Sequence, residues 1–196
     1  MGEANMRLFF GWLPVLFIVL LPSVTMGKWS EEKRSGTFEL LMTLPVSHWK
    51  IVLGKLLSCL AFLAIVLFFT IPLYFVVSSL GAIDSGQVMG AYAGAFLLGV
   101  SYLAVGLFVS SLSKNQIVAF ILTVLVLFFL YIISEPLVTS YLPAAVIPVF
   151  QYLSFSYHFS SMARGVIDSR DVLFFASSIV FFIYLNVVTL TARQGE

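Results

Sequence analysis

The sequence predicts an all-α, polytopic membrane helix bundle with five spans, at 8–27, 56–80, 88–112, 116–134 and 172–192, the N-terminus outside and the C-terminus inside. Three observations carry that expectation. Hydrophobic residues make up 61% of the 196 and charged residues 10%, with a mean hydropathy of +1.08, so a soluble fold would show water far too much apolar surface. The charges also leave long gaps. Uncharged intervals run over 8–27, 56–83, 85–113, 115–134, 136–163 and 172–192, and a hydrocarbon core of about 30 Å needs roughly 20 helical residues. Finally, eight of the nineteen charged side chains crowd into residues 28–55, between two apolar runs.

Each element has its own local reason. Arg7 followed by an apolar run at 8–27 could be read as a signal peptide, but the run is long and no A-x-A site follows it, which favours a span. After Pro45, Ser47 can cap a helix that carries His48 and Lys50 into the second span. Ser85 and Asn115 are similar caps for the third and fourth. Within the third, Gly90 and Gly94 make a G-x-x-x-G with Ala91, Ala95 and Gly99 nearby, a surface suited to self-association or to packing inside the bundle. Glu135 before Pro136 ends the fourth span, because the residue before proline is pushed out of helical geometry. The interval 136–163 is the exception among the six. Pro136, Pro143 and Pro148 break helices there, and Thr139, Ser140, Gln151, Ser154 and His158 interrupt its apolar character, so 135–171 reads as extracytoplasmic interfacial helices. Ser169 and Asp171 can cap the fifth span, whose Phe174, Phe175, Phe181 and Phe182 suit lipid-facing or packing surface. Trp12, Trp29 and Tyr141 sit where interfacial anchors are expected. No internal repeat is present, and 1–196 reads as one transmembrane domain.

Charge placement fixes the orientation. With 28–55 on the cytoplasmic side, Lys28, Lys33, Arg34, Lys50, Lys55, Lys114 and Arg193 lie inside and Arg7, Arg164 and Arg170 outside, as the positive-inside rule requires. The few basic residues form no soluble patch for nucleic acid, so the partners expected are lipid and protein.

The chain carries little chemistry of its own. His48 and His158 have no Cys, Asp or Glu at metal-ligand spacing, and Cys59 is alone, a small packing residue. Ser47 to Lys50 and Ser111 to Lys114 each spell S-x-x-K without companion motifs. There is no G-x-S-x-G and no phosphate-cradling G-x-x-x-x-G-K-[ST], so ATP, if used, is bound with its Mg by another chain and this chain holds no cofactor. No catalytic residue is expected. All nineteen charges fall near or outside span ends, whereas ion-coupled carriers keep one at mid-membrane, where it costs about 2.5–3.5 kcal/mol. Mechanical drive from the cytoplasmic side is therefore preferred to an ion gradient, although an ion-coupled secondary transporter stays as an alternative.

The charged loop and several later runs resemble ABC-2 type transporter permeases, in the branch of gliding-motility and NosY-like permeases. The resemblance rests on Glu31, Glu32, Lys33, Arg34, Gly36, Thr37, Glu39, Leu40, Leu41, Pro45, Val46 and Ser47, and on Ile51, Val52, Leu53, Gly54 and Lys55. It continues at Gly106, Ser110, Ser111, Leu112, Asn115 and Gln116, and from His158 through Asp168, covering the chain from about Leu13 onward. It implies six spans per subunit, a second permease copy or homologue, a separate ABC ATPase on the cytoplasmic side and, as a multi-pass protein, the plasma (inner) membrane of a bacterium. A typical member begins with a cytoplasmic amphipathic helix and a first span that have no counterpart here, so the span at 8–27 corresponds to the family's second.

In that family the stretch matching 31–43 is a coupling helix seated in the ATPase, within a cytoplasmic loop at 28–50. The resemblance thus assigns ATPase coupling to Glu31, Glu32, Lys33, Arg34, Gly36, Thr37, Phe38, Glu39, Leu41 and Pro45. Local physics agrees: Phe38, Leu41 and Leu44 recur every three residues behind an acidic head, one apolar side of a short helix. The outer segment resembles the family's partly inserted external helices, with His158, Arg164 and Asp168 as external gate candidates. The function so implied is that of a permease subunit, an exporter moved by its ATPase. The alternative is a non-transporting anchor that passes ATPase-driven work to a periplasmic partner.

Overall fold

The computed structural model describes residues 6–81 and 83–193. All its elements are helices: α1 (Arg7–Thr25), α2 (Gly27–Ser35), α3 (Thr37–Thr43), α4 (His48–Leu80), α5 (Ser85–Leu112), α6 (Gln116–Ile132), α7 (Pro136–Thr139), α8 (Ile147–Leu153), α9 (Phe155–Ala163) and α10 (Ser169–Arg193). Four apolar rods are long enough to cross a bilayer, Arg7–Ser35, His48–Leu80, Ser85–Leu112 and Ser169–Ala192, and Gln116–Ile132 is a shorter apolar fifth. The all-helical membrane bundle is as the sequence predicts. Arg193, counted among the inner charges, ends α10, and its side chain lies outside the described residues.

The boundaries depart from expectation where no residue stops a helix. Met26 keeps right-handed helical geometry, with φ −54° and ψ −38°, so α1 runs on into α2 as one rod to Ser35 instead of ending at 27. The helix of the second span starts at His48, as expected from Ser47, and carries Lys50 and Lys55 on the turns before residue 56. Ser47 stands at the cap position, but its side chain makes no capping bond; only its carbonyl accepts, 2.9 Å from the Lys50 N–H. Asp84, not Ser85, caps α5, accepting from the Gly86 and Gln87 amides at 2.9 and 3.3 Å. Asn115 caps α6 as expected, its Oδ1 2.9 Å from the Ile117 N–H. At the other end α6 stops at Ile132, short of 134, and Glu135 begins α7 instead. Asp168 caps α10 by accepting from the Arg170 amide at 3.0 Å, the role expected of Ser169 or Asp171.

α5 is the axis. Its span is the most buried of the four, and α1, α4, α6, α9 and α10 all lie against it. Small residues set how closely they come. A Cβ on Gly106 would stand 2.2 Å from Thr25 Oγ1 of α1, one on Gly99 2.7 Å from Leu63 of α4, one on Gly94 2.7 Å from Met162 of α9, and one on Gly90 3.0 Å from the Gly165 backbone. The G-x-x-x-G therefore serves packing within the chain, the second of its two readings. Lipid tails are as apolar as leucine, so such close contact and van der Waals packing, not hydrophobicity, hold membrane helices together.

The interval 136–163 does more than lie at the interface. α9 is tucked against α5 from Gly94 to past its midpoint, with Phe155 on Tyr102 at 5.5 Å between ring centroids and Met162 against Gly94. Tyr102 lies about 25 Å along α5 from Ser85, so the segment dips well into the bundle before returning. The Ser154 hydroxyl at the bottom of the dip takes up polar ends: it accepts from Ser134 at 2.7 Å and donates to the Tyr131 carbonyl of α6 at 3.4 Å.

Gly106→Ala should cost about 1–3 kcal/mol by overpacking against Thr25, whereas Gly54→Ala, inside α4 with nothing within 4 Å of the new methyl, should cost nothing and raise stability by up to about 1 kcal/mol in thermal unfolding in detergent.

Candidate functional site

The eight-charge cluster folds into a compact inner site built on the α1–α2 rod. Its root is buried. The Met26 carbonyl accepts from the Ser110 hydroxyl of α5 at 2.8 Å, and the Ser110 oxygen in turn accepts from the Trp29 amide at 3.2 Å. Ser30 also donates to the Met26 carbonyl. Trp29 is fully buried, so it is a core residue of the site and not the interfacial anchor its position suggests. Lys55 of α4 lies 4.3 Å over the Trp29 ring, a cation–π contact, while its ammonium donates to Glu32 Oε1 and, at 2.6 Å, to the Lys28 carbonyl. Lys28 reaches the Ser58 hydroxyl of α4 at 3.1 Å, and Lys33 donates to the Ser111 carbonyl at the end of α5. Three lysines thus tie α2 to the feet of both α4 and α5.

Gly36 turns the chain. Its φ of 77° is the left-handed conformation that glycine adopts without steric cost, and open space surrounds it, so backbone geometry alone requires glycine there. α3 then folds back along α2. Phe38 meets Trp29 edge-on at 6.1 Å with Lys33 5.3 Å over its ring, and Leu41 and Met42 pack inward beside it. Glu39, Leu40, Thr43 and Leu44 point away from the bundle, and Leu40 is 69% and Leu44 49% exposed. The expected apolar side of Phe38, Leu41 and Leu44 is therefore split: the first two face the protein, and Leu44 joins Leu40 outside. The separate helix also begins later than 31, because residues up to Ser35 prolong the first span. Beneath α3, a cleft of about 910 Å³ opens between the rod and the foot of α4, lined among others by Glu31, Glu32, Lys50 and Lys55.

The ten coupling candidates fall into two groups. Glu32, Lys33, Phe38 and Leu41 face the chain's own helices and hold α3 in place, while Glu31, Arg34, Gly36, Thr37, Glu39 and Pro45 are exposed. Leu40 belongs with the exposed face. Only burial distinguishes it from Leu41 next door, and its exposure beside Leu44, one helical turn on, marks it once the inward side is known.

At the opposite end of the bundle, the gate candidates separate as well. Arg164 and Asp168 are exposed, whereas His158 is buried on α9 and its Nδ1 lies 2.7 Å from Asp171 Oδ1 on α10. Its Nε2 meets the Tyr152 carbonyl at 3.0 Å, and its ring stacks on Phe174 with centroids 3.9 Å apart. Both ring nitrogens are thus held by oxygen partners. Asp171 had no signal in the sequence beyond a capping position, because its partner is thirteen residues away across a turn. Among the described residues no three His, Cys, Asp or Glu side chains converge on a metal position.

Residues 15–151 match the family described as ABC-2 family transporter protein. Among curated proteins no match is found.

Replacing Lys55 by Met should cost about 1–2 kcal/mol, allowing for the partial exposure of Glu32, and a double-mutant cycle with Glu32→Gln should return a coupling of about 1 kcal/mol in denaturant unfolding. At the other end Asp171→Ala should cost about 1–3 kcal/mol by leaving the buried His158 Nδ1 without its partner, and the double substitution His158→Phe with Asp171→Leu should recover most of that loss.

Proposed function

The chain belongs to the ABC-2 transporter family and is a transmembrane subunit of an ABC transporter, and we propose that it converts closure of a separate ATPase into substrate export through α3. The observation that carries this reading is the exposed face of Glu39, Leu40, Thr43 and Leu44 beside a short helix whose other side packs on the α1–α2 rod, which is itself bonded to α4 and α5. Leu40 and Leu44 are one turn apart, which makes an apolar anchor pair flanked by one carboxylate and one hydroxyl. Such a helix suits a groove on a partner protein, with a buried apolar centre and a polar rim.

The inward contacts explain how a push on α3 would travel. Phe38 bears on Trp29, and Trp29 with its neighbour Met26 is bonded to Ser110 on the central helix. Glu32 and Lys28 pull on the foot of α4 through Lys55 and Ser58. Displacement of α3 therefore loads α1, α4 and α5 together rather than bending a free loop. ATP and Mg²⁺ belong to the partner subunit, and a second permease, identical or homologous, completes the pathway in a bacterial inner membrane. At the outer end the His158–Asp171 pair holds the dipping α8–α9 segment against α10, and its release would open the exit.

Leu40→Asp with Glu39→Lys alters only exposed side chains, so the fold should survive. Association with the ABC ATPase should weaken roughly tenfold or more in a pull-down titration from detergent, and substrate-stimulated ATP hydrolysis should be lost. Unchanged association and hydrolysis in that variant would refute coupling through this face.

A further inference from the structure

The cleft beneath α3 holds charges that the chain's own bonds leave over. It straddles a boundary: Ser23, Val24 and Ser58 in its lining belong to the uncharged runs 8–27 and 56–83, whereas Thr37, Leu44 and Val46 belong to the charged segment between them. Lys28 and Lys55 mark the border, and both are taken, Lys28 by Ser58 and Lys55 by Glu32 and the Lys28 carbonyl. Three polar side chains of the lining remain. Among the described residues the Glu31 carboxylate, the Gln116 amide and the Lys50 ammonium have no hydrogen-bond or ion-pair partner within the chain. We propose that this cleft binds the phosphoethanolamine headgroup of a phospholipid from the leaflet at the α3 end of the bundle.

Charge, hydrogen-bonding type and place each narrow the ligand. One anion and one cation stand open, so a ligand with one charge of each sign answers both, whereas an anionic head would answer Lys50 and leave Glu31 facing a like charge. On the α2 wall Gly27 has no side chain, and a Cβ there would stand 3.3 Å from Glu31 Oε2 and 3.5 Å from Gln116 Nε2. The carboxylate and the amide group thus converge beside bare backbone without bonding each other. Both groups carry oxygen acceptors, which a primary ammonium with its three N–H donors suits. A quaternary choline has no N–H to donate and is recognised by aromatic faces instead, and among the described residues no aromatic side chain lines this cleft. Lys50 enters from the opposite wall, on the first turn of α4, and is left for the phosphate as a point charge. Val24, Leu41 and Ile51 supply an apolar lining for which a soluble phosphoethanolamine has no use, and the cleft reaches Ser23 and Ser58, where acyl chains can leave into the bilayer between α1 and α4. The site needs only this chain and its membrane, so it does not depend on a partner docking on α3.

The test is native mass spectrometry of the full chain in detergent, with no ATPase present, against phosphatidylethanolamine, phosphatidylcholine and phosphatidylglycerol of the same acyl chains and against soluble phosphoethanolamine. Wild type should retain phosphatidylethanolamine roughly fivefold or more over the other two lipids, as one charge-assisted contact requires, and should hold the soluble head more weakly than the lipid. Glu31→Lys, at an exposed position, should reverse the preference toward phosphatidylglycerol. Gly27→Leu removes no charge and its Cβ meets first the flexible ends of Glu31 and Gln116, so the fold should hold while the preference for phosphatidylethanolamine is lost. Equal retention of the three lipids by wild type, an unchanged preference in either variant, or soluble phosphoethanolamine bound as tightly as the lipid would each overturn the proposal. Should Gly27→Leu fail to fold, Glu31→Lys decides alone.

Discussion

The glycine and alanine edge of α5 sets the distances on which everything else depends. A bilayer offers helices no hydrophobic reason to associate, so the bundle is only as firm as its closest contacts. Gly90, Gly94, Gly99 and Gly106 receive, in order, the Gly165 turn, α9, α4 and α1. Because three separate elements and a turn converge on one helix, a shift of any of them is registered by the others. The polar ties at the inner end build on that frame: Ser110 reaches Met26 because Gly106, one turn earlier, lets Thr25 approach so closely.

Polar groups in this protein concentrate at the two ends of the frame, and the ends differ in kind. The inner one is a layered node in which lysine ammonium groups bind carbonyls, hydroxyls, a carboxylate and an indole ring, each bond crossing between helices. A charge that is satisfied by several modest contacts can be moved as a unit without leaving one group stranded. The outer end relies on one closed ion pair with a stacked ring and a single carbonyl. Separating it would leave buried polar atoms on both α9 and α10 without their bond at once.

Much of this organisation was legible in the residues. Asn115 announced its cap and the three prolines announced the broken segment, since those effects act within a few residues. The inner site was legible as a place, through its charge density, but its inner and outer surfaces were not. Nothing local distinguishes Leu40 from Leu41, or Glu31 from Glu32; the distinction is made by where α4 and the Trp29 ring stand. Trp29 itself looked like an anchor at a membrane boundary, and Asp171 like a cap, because each has the right type at the right position for that simpler role.

By itself the sequence determined what operates at short range or by composition: a membrane as solvent, the approximate extent of the long apolar helices, and a charged segment between the first two. Helix length, backbone satisfaction and charge cost are properties of a segment and its solvent, so they can be read one segment at a time. Only the tertiary structure decided which faces meet. It joined His158 to Asp171, set Lys55 between Glu32 and Trp29, brought Glu31 and Gln116 to one cleft, and turned the G-x-x-x-G inward onto α9. Those pairings depend on the rotation and tilt of helices about one another, which side-chain volume along α5 fixes and linear spacing does not.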